Sequence, residues 1–306
     1  MRLVAHDLQF PEGPVFLPDG RLLVTEIARE CVTVIDPDDC HILGRIPCPG
    51  GPNGAALGPD GAIYICNNGG TEWHCRGGLL MPGLPAAGYA GGVLQRLDLA
   101  TARIETVHNS CDGARLSAPN DLVFDAAGGI WFTDTGKQHA RHRDHGGVCY
   151  ASAEGEIRQV LYPLLTPNGI GLSPDGKELY VAETATGRIW AWPVTAPGTL
   201  GRGGKGPCGG RLVHGFAGYQ LLDSLAIDGD GNICVATLVT GAVSVVTPDG
   251  RLLRQVAPPE HDPLITNICF GGPDLRTAFI TSSGRGRVWA VDWPSPGHAP
   301  HFTRSV

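Results

Sequence analysis

The chain has 306 residues, a formal net charge of −7 at pH 7 and 17% charged residues. This acidic balance argues against a nucleic-acid or anionic-membrane surface, which would need clustered Lys and Arg. The 45 glycines and 25 prolines fit an all-β chain with many turns, and no stretch carries a sustained helical period.

The N-terminus, MRLVAHDLQF, contains no apolar core of a secretory signal, and the chain has no run of about 18 apolar residues that would cross a membrane. Ten cysteines are scattered without a CxxC pair, and Cys66, Cys234 and Cys269 fall in apolar runs. We therefore predict a cytoplasmic protein with reduced, mostly buried thiols rather than disulfides.

Six units of one pattern follow each other along the chain. Each has an apolar run, a tight turn and a second apolar run, as in GPVFLP-DG-RLLVTEI, and a third strand such as CVTVIDP follows. A repeat of this kind with about four strands per unit is typical of a propeller. We predict an all-β fold, a six-bladed β-propeller that forms a single domain over residues 1–306. The predicted blades cover about 10–47, 51–107, 117–162, 166–215, 221–256 and 264 onwards.

The ring needs a closure, because the sixth unit lacks an obvious outer strand. Residues 2–9 precede the first unit and have no other place in the repeat. An open edge strand is prone to pair with other chains, so a closed ring is favoured. We predict that the N-terminal segment pairs with the last blade.

An insertion at 68–92 interrupts the second unit. It carries Trp73, Met81 and Tyr89, apolar groups that a simple linker would not need. Long loops with their own apolar residues are often lids, but such a loop can equally pack on the edge of a neighbouring blade. Both interpretations stay open at the level of the sequence.

A second insertion, 137–147, contains His139, His142 and His145. A soft-metal or phosphate site is one interpretation of this cluster. Residues at this spacing share a face only on a helix, however, and two glycines follow at once. We therefore interpret the segment as a solvated loop.

A polar residue stands seven positions ahead of the turn in every unit. The inner strand of each blade lines the central channel, so these six side chains are expected to meet at its mouth. They are Glu12, Asn53, Asn120, Asn168, Asp223 and Asn267. The ends of the second strands are expected to face them there and to leave the mouth almost without cations. These ends are Glu26, Asn67, Asp134, Glu183, Thr237 and Ser282.

Acids crowded into a narrow mouth repel each other and are costly to ionise unless a cation lies among them. Ligands that are all carboxylate or amide oxygens suit a hard divalent cation such as Ca²⁺, and Glu12 and Asp223 would balance its charge. Zn²⁺, Mn²⁺, Mg²⁺ and Fe²⁺ also tolerate such ligands. The alternative is that Asn and Asp merely cap turns, which accounts better for one residue than for six in one register.

Five segments together resemble the family of regucalcin, gluconolactonase and the luciferin-regenerating enzyme, the senescence marker protein-like propellers. They are FPEGPVF, APNDLVFD, TPNGIGLSPDGKELYVAET, LLDSLAIDGDGNICVAT and ITNICFGGPDLRTAFIT. The resemblance implies a six-bladed propeller with a divalent cation in its channel. It assigns Glu12, Asn168 and Asp223 to metal-ligand positions, Asn120 to a position that binds metal or substrate, and Asp121 to an acid beside the site.

Two departures from the family pattern concern the substrate. Regucalcin-like lactonases have an Arg two residues before the Asn of the third motif, where this chain has Ala118. The fifth motif reads Leu222-Asp223-Ser224 instead of Pro-Asp-Gly. These departures leave the expected fold and metal unaffected and concern the part of the site that would contact a sugar lactone.

The leading hypothesis is metal-dependent hydrolysis of a lactone, with the cation on the ring carbonyl oxygen and Asp223 as general base. Asn120, Asp121 and Asn53 would bind the substrate, a small molecule, while Glu12, Asn168, Asp223 and Asn120 bind the metal. The alternatives are phosphotriester hydrolysis, as in the related diisopropylfluorophosphatases, a non-enzymatic propeller that binds calcium or a small ligand, and a platform for partner proteins. No GxSxG, Walker, GxGxxG or HExxH motif competes with these.

Overall fold

A computed structural model describes residues 1–302, and the last residues of the predicted domain, 303–306, lie outside the described residues. The described chain begins with β1 (Arg2–Ala5) and continues through six sheets in sequence order. Strands of the first three sheets, with the insertions between them, are β2 (Pro11–Phe16), β3 (Leu22–Glu26), β4 (Cys31–Asp36), β5 (His41–Pro47), β6 (Pro52–Leu57), β7 (Ile63–Asn67), β8 (Thr71–Arg76), β9 (Leu79–Pro85), β10 (Val93–Asp98), β11 (Arg103–His108), β12 (Ser110–Cys111), β13 (Ala114–Arg115), β14 (Pro119–Phe124), β15 (Ile130–Asp134), β16 (Gly146–Ala151) and β17 (Ile157–Leu164).

The second half of the chain repeats the arrangement. Its strands, with one short 3-10 turn (Pro207–Gly209), are β18 (Pro167–Leu172), β19 (Glu178–Glu183), β20 (Arg188–Ala196), β21 (Thr199–Leu200), β22 (Arg211–Gly215), β23 (Leu221–Ile227), β24 (Ile233–Leu238), β25 (Ala242–Val246), β26 (Leu252–Val256), β27 (Ile265–Gly271), β28 (Thr277–Ser282) and β29 (Arg287–Asp292). No helix within residues 1–302 is long and apolar enough to cross a membrane.

Each sheet is antiparallel and forms one blade, with strand orders β2-β3-β4-β5, β6-β7-β10-β11, β14-β15-β16-β17, β18-β19-β20-β22, β23-β24-β25-β26 and β27-β28-β29-β1. The six-bladed propeller is therefore confirmed. Strand β1 is the outer strand of the last blade, and it pairs Arg2 with Ala290 and Leu3 with Trp289. This confirms the predicted closure by the N-terminus and covers the edge of β29.

The core is divided into six apolar clusters, one at each contact between neighbouring blades. The cluster between the fourth and fifth blades, for example, joins Tyr180 and Ile189 to Leu222 and Val235. Because each blade is covered on both faces, its middle strands are apolar on both sides, as in LYVAE and ICVAT. All ten cysteines are free, and six of them are buried, which agrees with the predicted reduced thiols.

Candidate active site

Every innermost strand has a break in its pairing register beside its polar residue. The breaks lie between Glu12 and Val15, Pro52 and Ala55, Pro119 and Leu122, Pro167 and Ile170, Leu222 and Leu225, and Ile265 and Asn267. A β-bulge turns the side chain beside it away from the regular alternation of a strand. Six equivalent bulges thus explain why the polar residues lie at corresponding places around the channel.

Neighbouring inner strands also approach each other backbone to backbone at this level. Gly13 has a φ of +47°, and a Cβ added there would lie 2.3 Å from the Asn53 carbonyl oxygen. A Cβ on Gly54 would lie 2.7 Å from Cα of Asp121. Only glycine permits such contacts, so the residues that follow Glu12 and Asn53 bring adjacent blades close together at the site.

Glu12 is 2% exposed, and its Oε2 accepts hydrogen bonds from the Gly13 N–H at 3.0 Å and from Asn267 Nδ2 at 2.8 Å. Burial raises the pKa of the Glu12 carboxyl above its usual value, although these hydrogen bonds oppose the rise. Glu12 is therefore held in place by the last blade but pays a large desolvation penalty when ionised.

Two further acids belong to the same electrostatic group. Burial, reinforced by the Glu12 carboxylate, raises the pKa of Asp121 to about 7. Removal from water and the Glu12 carboxylate also raise the pKa of Asp223 well above its usual range, opposed by a hydrogen bond with Asn168. Within residues 1–302, none of these three carboxylates forms an ion pair with Lys, Arg or His. A cation bound among these three carboxylates would stabilise their ionised form, which burial and mutual repulsion disfavour.

The amide residues add neutral oxygen atoms to this group. Asn120 Oδ1 is buried and has no hydrogen-bond partner among the described residues. Asn168 Oδ1 accepts a 3.4 Å hydrogen bond from Ser224, and Asn53 is buried at the corresponding position of the second blade. A buried amide oxygen without a partner is rare and is expected where a ligand or ion completes its coordination. The donors therefore fit a hard divalent cation.

Two acids at the ends of second strands do not line the mouth as free carboxylates, and that part of the prediction is wrong. Glu26 is fully buried and bonded to Arg29 at 2.7 Å and to Arg45 at 2.9 Å, so the acid has its cations within its own blade. Asp134 Oδ1 accepts a 2.7 Å hydrogen bond from the Ala118 N–H. These side chains fix loops near the inner strands instead.

Two buried threonines that the sequence pattern does not single out donate hydrogen bonds to the backbone of the site. Thr25 Oγ1 donates to the Asn53 carbonyl at 2.7 Å, and Thr133 Oγ1 donates to the Asn168 carbonyl at 2.6 Å. Each threonine therefore fixes the backbone of a polar residue that belongs to the next blade. In the sequence each threonine stands one residue before the end of the second strand of its blade, in TEI and TDT, and this shared position could have identified both.

The first insertion folds as the β8–β9 hairpin and packs on other blades at the end of the propeller where the inner strands begin. The rings of Trp73 and Phe10 lie 4.9 Å apart, and the Leu80 N–H donates to the Gly284 carbonyl at 2.8 Å. These contacts connect the second blade with the first and the sixth. The interpretation as a packed loop is thus confirmed, and a lid function stays a prediction.

Lys137 is a buried cation that the sequence did not single out. Its Nζ donates to the Asn68 carbonyl at 2.8 Å and lies 5.0 Å from the centre of the Tyr89 ring. Burial lowers the pKa of this amine to about 8. The Tyr89 hydroxyl in turn donates to the Ser117 carbonyl at 2.7 Å, which places this group close to the start of the third blade.

On the turn side of the polar ring, the channel widens into a cavity of about 970 Å³. Asp121 and Asn267 belong to its lining, which otherwise includes many apolar residues such as Val15, Leu122 and Ile170. The polar group therefore lies at the inner end of a space whose wall near Asp121 and Asn267 is largely apolar.

Comparison with known proteins adds to this geometry. The family described as "SMP-30/Gluconolactonase/LRE-like region" matches residues 10–284. A gluconolactonase of Zymomonas mobilis is 27% identical over 92% of this chain and 79% of its own length. Lactonase drp35 of Staphylococcus epidermidis is 32% identical over 82% of this chain and 70% of its own length.

Among solved structures, a calcium-binding protein, regucalcin, from Agrobacterium tumefaciens has a TM-score of 0.73, with 18% identity over 99% of this chain and 97% of its own. At this identity the likeness concerns the fold. The family match extends from the first inner strand to the last blade, so it includes every polar residue of the ring. The chain therefore belongs to the SMP-30/gluconolactonase/LRE-like family.

Proposed function

We propose that this protein is a divalent-cation-dependent lactonase that opens a cyclic ester at the mouth of its channel. The proposal rests above all on three carboxylates, those of Glu12, Asp121 and Asp223, which have raised pKa values and no ion-pair partner among residues 1–302. The buried amide oxygen of Asn120, which has no hydrogen-bond partner within the same residues, adds to this. Relatives described as gluconolactonase and lactonase support the reaction class. The partner is a small molecule, and the net charge of −7 argues against nucleic acid or an anionic membrane surface.

Glu12, Asn168, Asp223 and Asn120 would hold the cation, since they combine two charges with two neutral amide oxygens. Ca²⁺ is the first choice for oxygen-only donors, and Zn²⁺, Mn²⁺, Mg²⁺ and Fe²⁺ are the alternatives. When bound, the cation supplies Lewis acidity that polarises the lactone carbonyl and stabilises the negative charge that develops on its oxygen.

In this proposal Asp223 accepts a proton from the attacking water on a carboxylate oxygen. The water oxygen bonds to the carbonyl carbon, the ring C–O bond breaks, and Asp223 passes its proton to the leaving ring oxygen. The products are a carboxylic acid and a hydroxyl group, and Asp223 is again a carboxylate. In the cation-free chain burial and the Glu12 carboxylate raise the pKa of Asp223, whereas a bound cation would favour its ionised form, which is the form that accepts a proton. Asn53, Asn120 and Asp121 would orient the oxygens of the substrate.

The test compares hydrolysis of aldonolactones by the wild type, by Asp223→Ala and by Asp230→Ala. Asp230 is an exposed aspartate in the turn that follows the same inner strand, so it is a matched control. We expect Asp223→Ala to lose at least about 10²-fold in kcat/KM, the scale of general-base catalysis, and Asp230→Ala to keep its activity. Chelation should abolish activity, and added Ca²⁺ should restore it.

Unchanged activity of Asp223→Ala would overturn the assigned mechanism, and full activity after chelation would overturn the role of the cation. Two further outcomes distinguish the alternatives. Cation binding without any hydrolysis would indicate a binding protein, and cleavage of a phosphotriester in preference to lactones would indicate the other hydrolase class.

The ten free thiols support a reducing compartment, and we place the protein in the cytoplasm.

A further inference from the structure

The insertion between β15 and β16 folds as a tight hairpin and not as an irregular loop. Gln138 and Arg143 pair as a β-bridge, and the His139 N–H donates to the His142 carbonyl at 2.8 Å. The turn brings residues three apart onto one side without a helix. The rings of His139 and His142 consequently stack, with centroids 4.3 Å apart and planes 15° apart.

Asp144 completes this cluster. One of its carboxylate oxygens, Oδ2, lies 3.6 Å from His139 Nε2, and ligand atoms of Asp144, His139 and His142 all lie within 4.8 Å of one another. Two ligands of one tetrahedral Zn²⁺, at bond lengths of about 2.0–2.1 Å, are about 3.4 Å apart. An imidazole binds a metal in the plane of its ring, so rotation of the two rings out of their stacked arrangement would bring the three groups onto one ion.

The carboxylate is also oriented from outside the cluster. Asp144 Oδ2 accepts a 2.7 Å hydrogen bond from Ser117 Oγ, and the Lys137 N–H points to the same oxygen at 3.4 Å. Metal-binding carboxylates are commonly held by such outer hydrogen bonds. The nearby Arg143 side chain is bonded to the Gln138 side chain at 2.8 Å and does not pair with Asp144 among the described contacts.

We propose that His139, His142 and Asp144 form a second metal site that takes a transition-metal ion, Zn²⁺ in the first instance. Two imidazole nitrogens and one carboxylate suit Zn²⁺, Co²⁺, Ni²⁺ or Cu²⁺, whereas Ca²⁺ prefers oxygen ligands. His142 is exposed and the other two residues are partly exposed, so water can complete the coordination. The site is separate from the oxygen-only ring in both residues and chemistry.

A bound ion would also tie the hairpin to the start of the third blade. Asp144 is bonded to Ser117, which stands three residues before Asn120. The metal would therefore stabilise the loop beside the strand that carries a residue of the polar ring. This role is structural, because none of the three ligands contacts that ring in the interactions described above.

The test is Zn²⁺ titration of chelated protein in the presence of excess Ca²⁺, followed by calorimetry, with Co²⁺ spectra and X-ray absorption to identify nitrogen ligands. We expect one Zn²⁺ per chain in the wild type and at least a tenfold weaker Kd in His142→Ala and in His139→Ala. His145→Ala is the matched control, because it removes a histidine of the same insertion outside the cluster. It should bind like the wild type.

Asp144→Asn is a second kind of variant, since it keeps the shape of the side chain and weakens the site by removing charge. His142 is exposed, so His142→Ala should fold normally, which circular dichroism checks. Wild-type Zn²⁺ affinity in both histidine variants would overturn the proposal. So would complete displacement of Zn²⁺ by Ca²⁺, or an absorption spectrum without imidazole ligands. Lactonase activity does not enter any of these measurements.

Discussion

Asn267 Nδ2 donates a 2.8 Å hydrogen bond to Glu12 Oε2, across a separation of 255 positions in the sequence. The bond joins the innermost strand of the last blade to that of the first. On the outside of the propeller, β1 closes the same junction by pairing with β29. The junction that closes the ring therefore also positions the Glu12 carboxylate.

Replacement of Asn267 by Leu removes that donor while keeping a side chain of similar size. The pKa of Glu12, already raised by burial, should rise further, because one of the hydrogen bonds that oppose the rise is lost. We expect Ca²⁺ affinity near pH 6 to fall about tenfold, the scale of a hydrogen bond to a charged group, and to recover partly at higher pH. Titrations from pH 5.5 to 8 measure this. Asn109→Leu, at an exposed position, is the control, and equal pH profiles would contradict the prediction.

The chelated protein should be less stable at pH 8 than at pH 5. Asp121 has a pKa of about 7 in the folded chain, against an ordinary value of 3.8. A carboxyl group whose pKa is raised by folding stabilises the fold fully at a pH below its pKa in the unfolded chain. That contribution is lost as the pH rises through its pKa in the folded chain. From Asp121 alone we expect a loss of about 3 kcal/mol between pH 5 and 8. Urea unfolding with and without saturating Ca²⁺ measures it.

Two comparisons decide that result. Asp121→Asn in the chelated protein should reduce the pH dependence by the share of Asp121, about 3 kcal/mol, and leave the part that comes from Glu12 and Asp223, whose pKa values are also raised. Saturating Ca²⁺ should also reverse the trend in the wild type, since the cation binds the ionised acids. A chelated wild type whose stability is constant between pH 5 and 8 would show that these carboxylates are solvated.

The contact between the fourth and fifth blades can be tested at Gly169. A Cβ there would lie 2.7 Å from the Asp223 carbonyl oxygen and 2.6 Å from the Leu225 nitrogen. Gly169→Ala should therefore push the inner strands apart, destabilise the fold by about 1–3 kcal/mol and weaken cation binding through Asn168 and Asp223. In Gly44→Ala the added carbon would meet no atom within 4 Å among residues 1–302 beyond its chain neighbours, so both quantities should change little. Similar unfolding midpoints for the two variants would be the contrary result.

The fold could be predicted because its signals are local. Alternating strands, Asp-Gly turns and a recurrent polar position lie within each unit of the sequence, and the missing outer strand of the last unit pointed to the N-terminus. The polar register predicted which residues, from Glu12 to Asn267, stand at one level of the channel. Their assignment as metal ligands stays a prediction, since no contact with an ion tests it.

Other features depended on contacts between units and could not be derived from one unit alone. The hydrogen bond from Thr25 to the Asn53 carbonyl, for example, links two blades. Within the first blade, the ion pairs of Glu26 with Arg29 and Arg45 depend on loop and outer-strand positions that the strand pattern does not specify. The hairpin at His139 was missed for another reason. Residues three apart come together on a helix, but a tight turn brings them together equally well, and the spacing alone does not distinguish the two.

The lid prediction can be tested by shortening the β8–β9 hairpin. Gly70 and Ala86 are already neighbours, with the Ala86 N–H 3.4 Å from the Gly70 carbonyl oxygen, so residues 71–85 can be replaced by Gly-Gly. If the hairpin forms a wall of the substrate site, KM for the lactone should rise about fivefold or more while Ca²⁺ affinity stays unchanged. Trp73→Ala, which removes the contact with Phe10, should have a smaller effect in the same direction. An unchanged KM in both variants would assign the hairpin to blade packing alone.

Lys137 provides a test of burial on the mouth side of the propeller. Its pKa is about 8 in the folded chain, against 10.5 for an ordinary lysine, so the unfolded chain binds more protons between these values. Below pH 8 the buried charge therefore lowers the free energy of unfolding by its full amount. This loss is recovered as the pH rises toward 10.5. Lys137→Met lacks this titration. Its free energy of unfolding, relative to the wild type, should decrease by about 3 kcal/mol between pH 7 and 10.5. Lys177→Met, whose side chain is 78% exposed, should show a constant difference over the same range. A constant difference for Lys137→Met as well would mean that the amine is solvated in the folded protein.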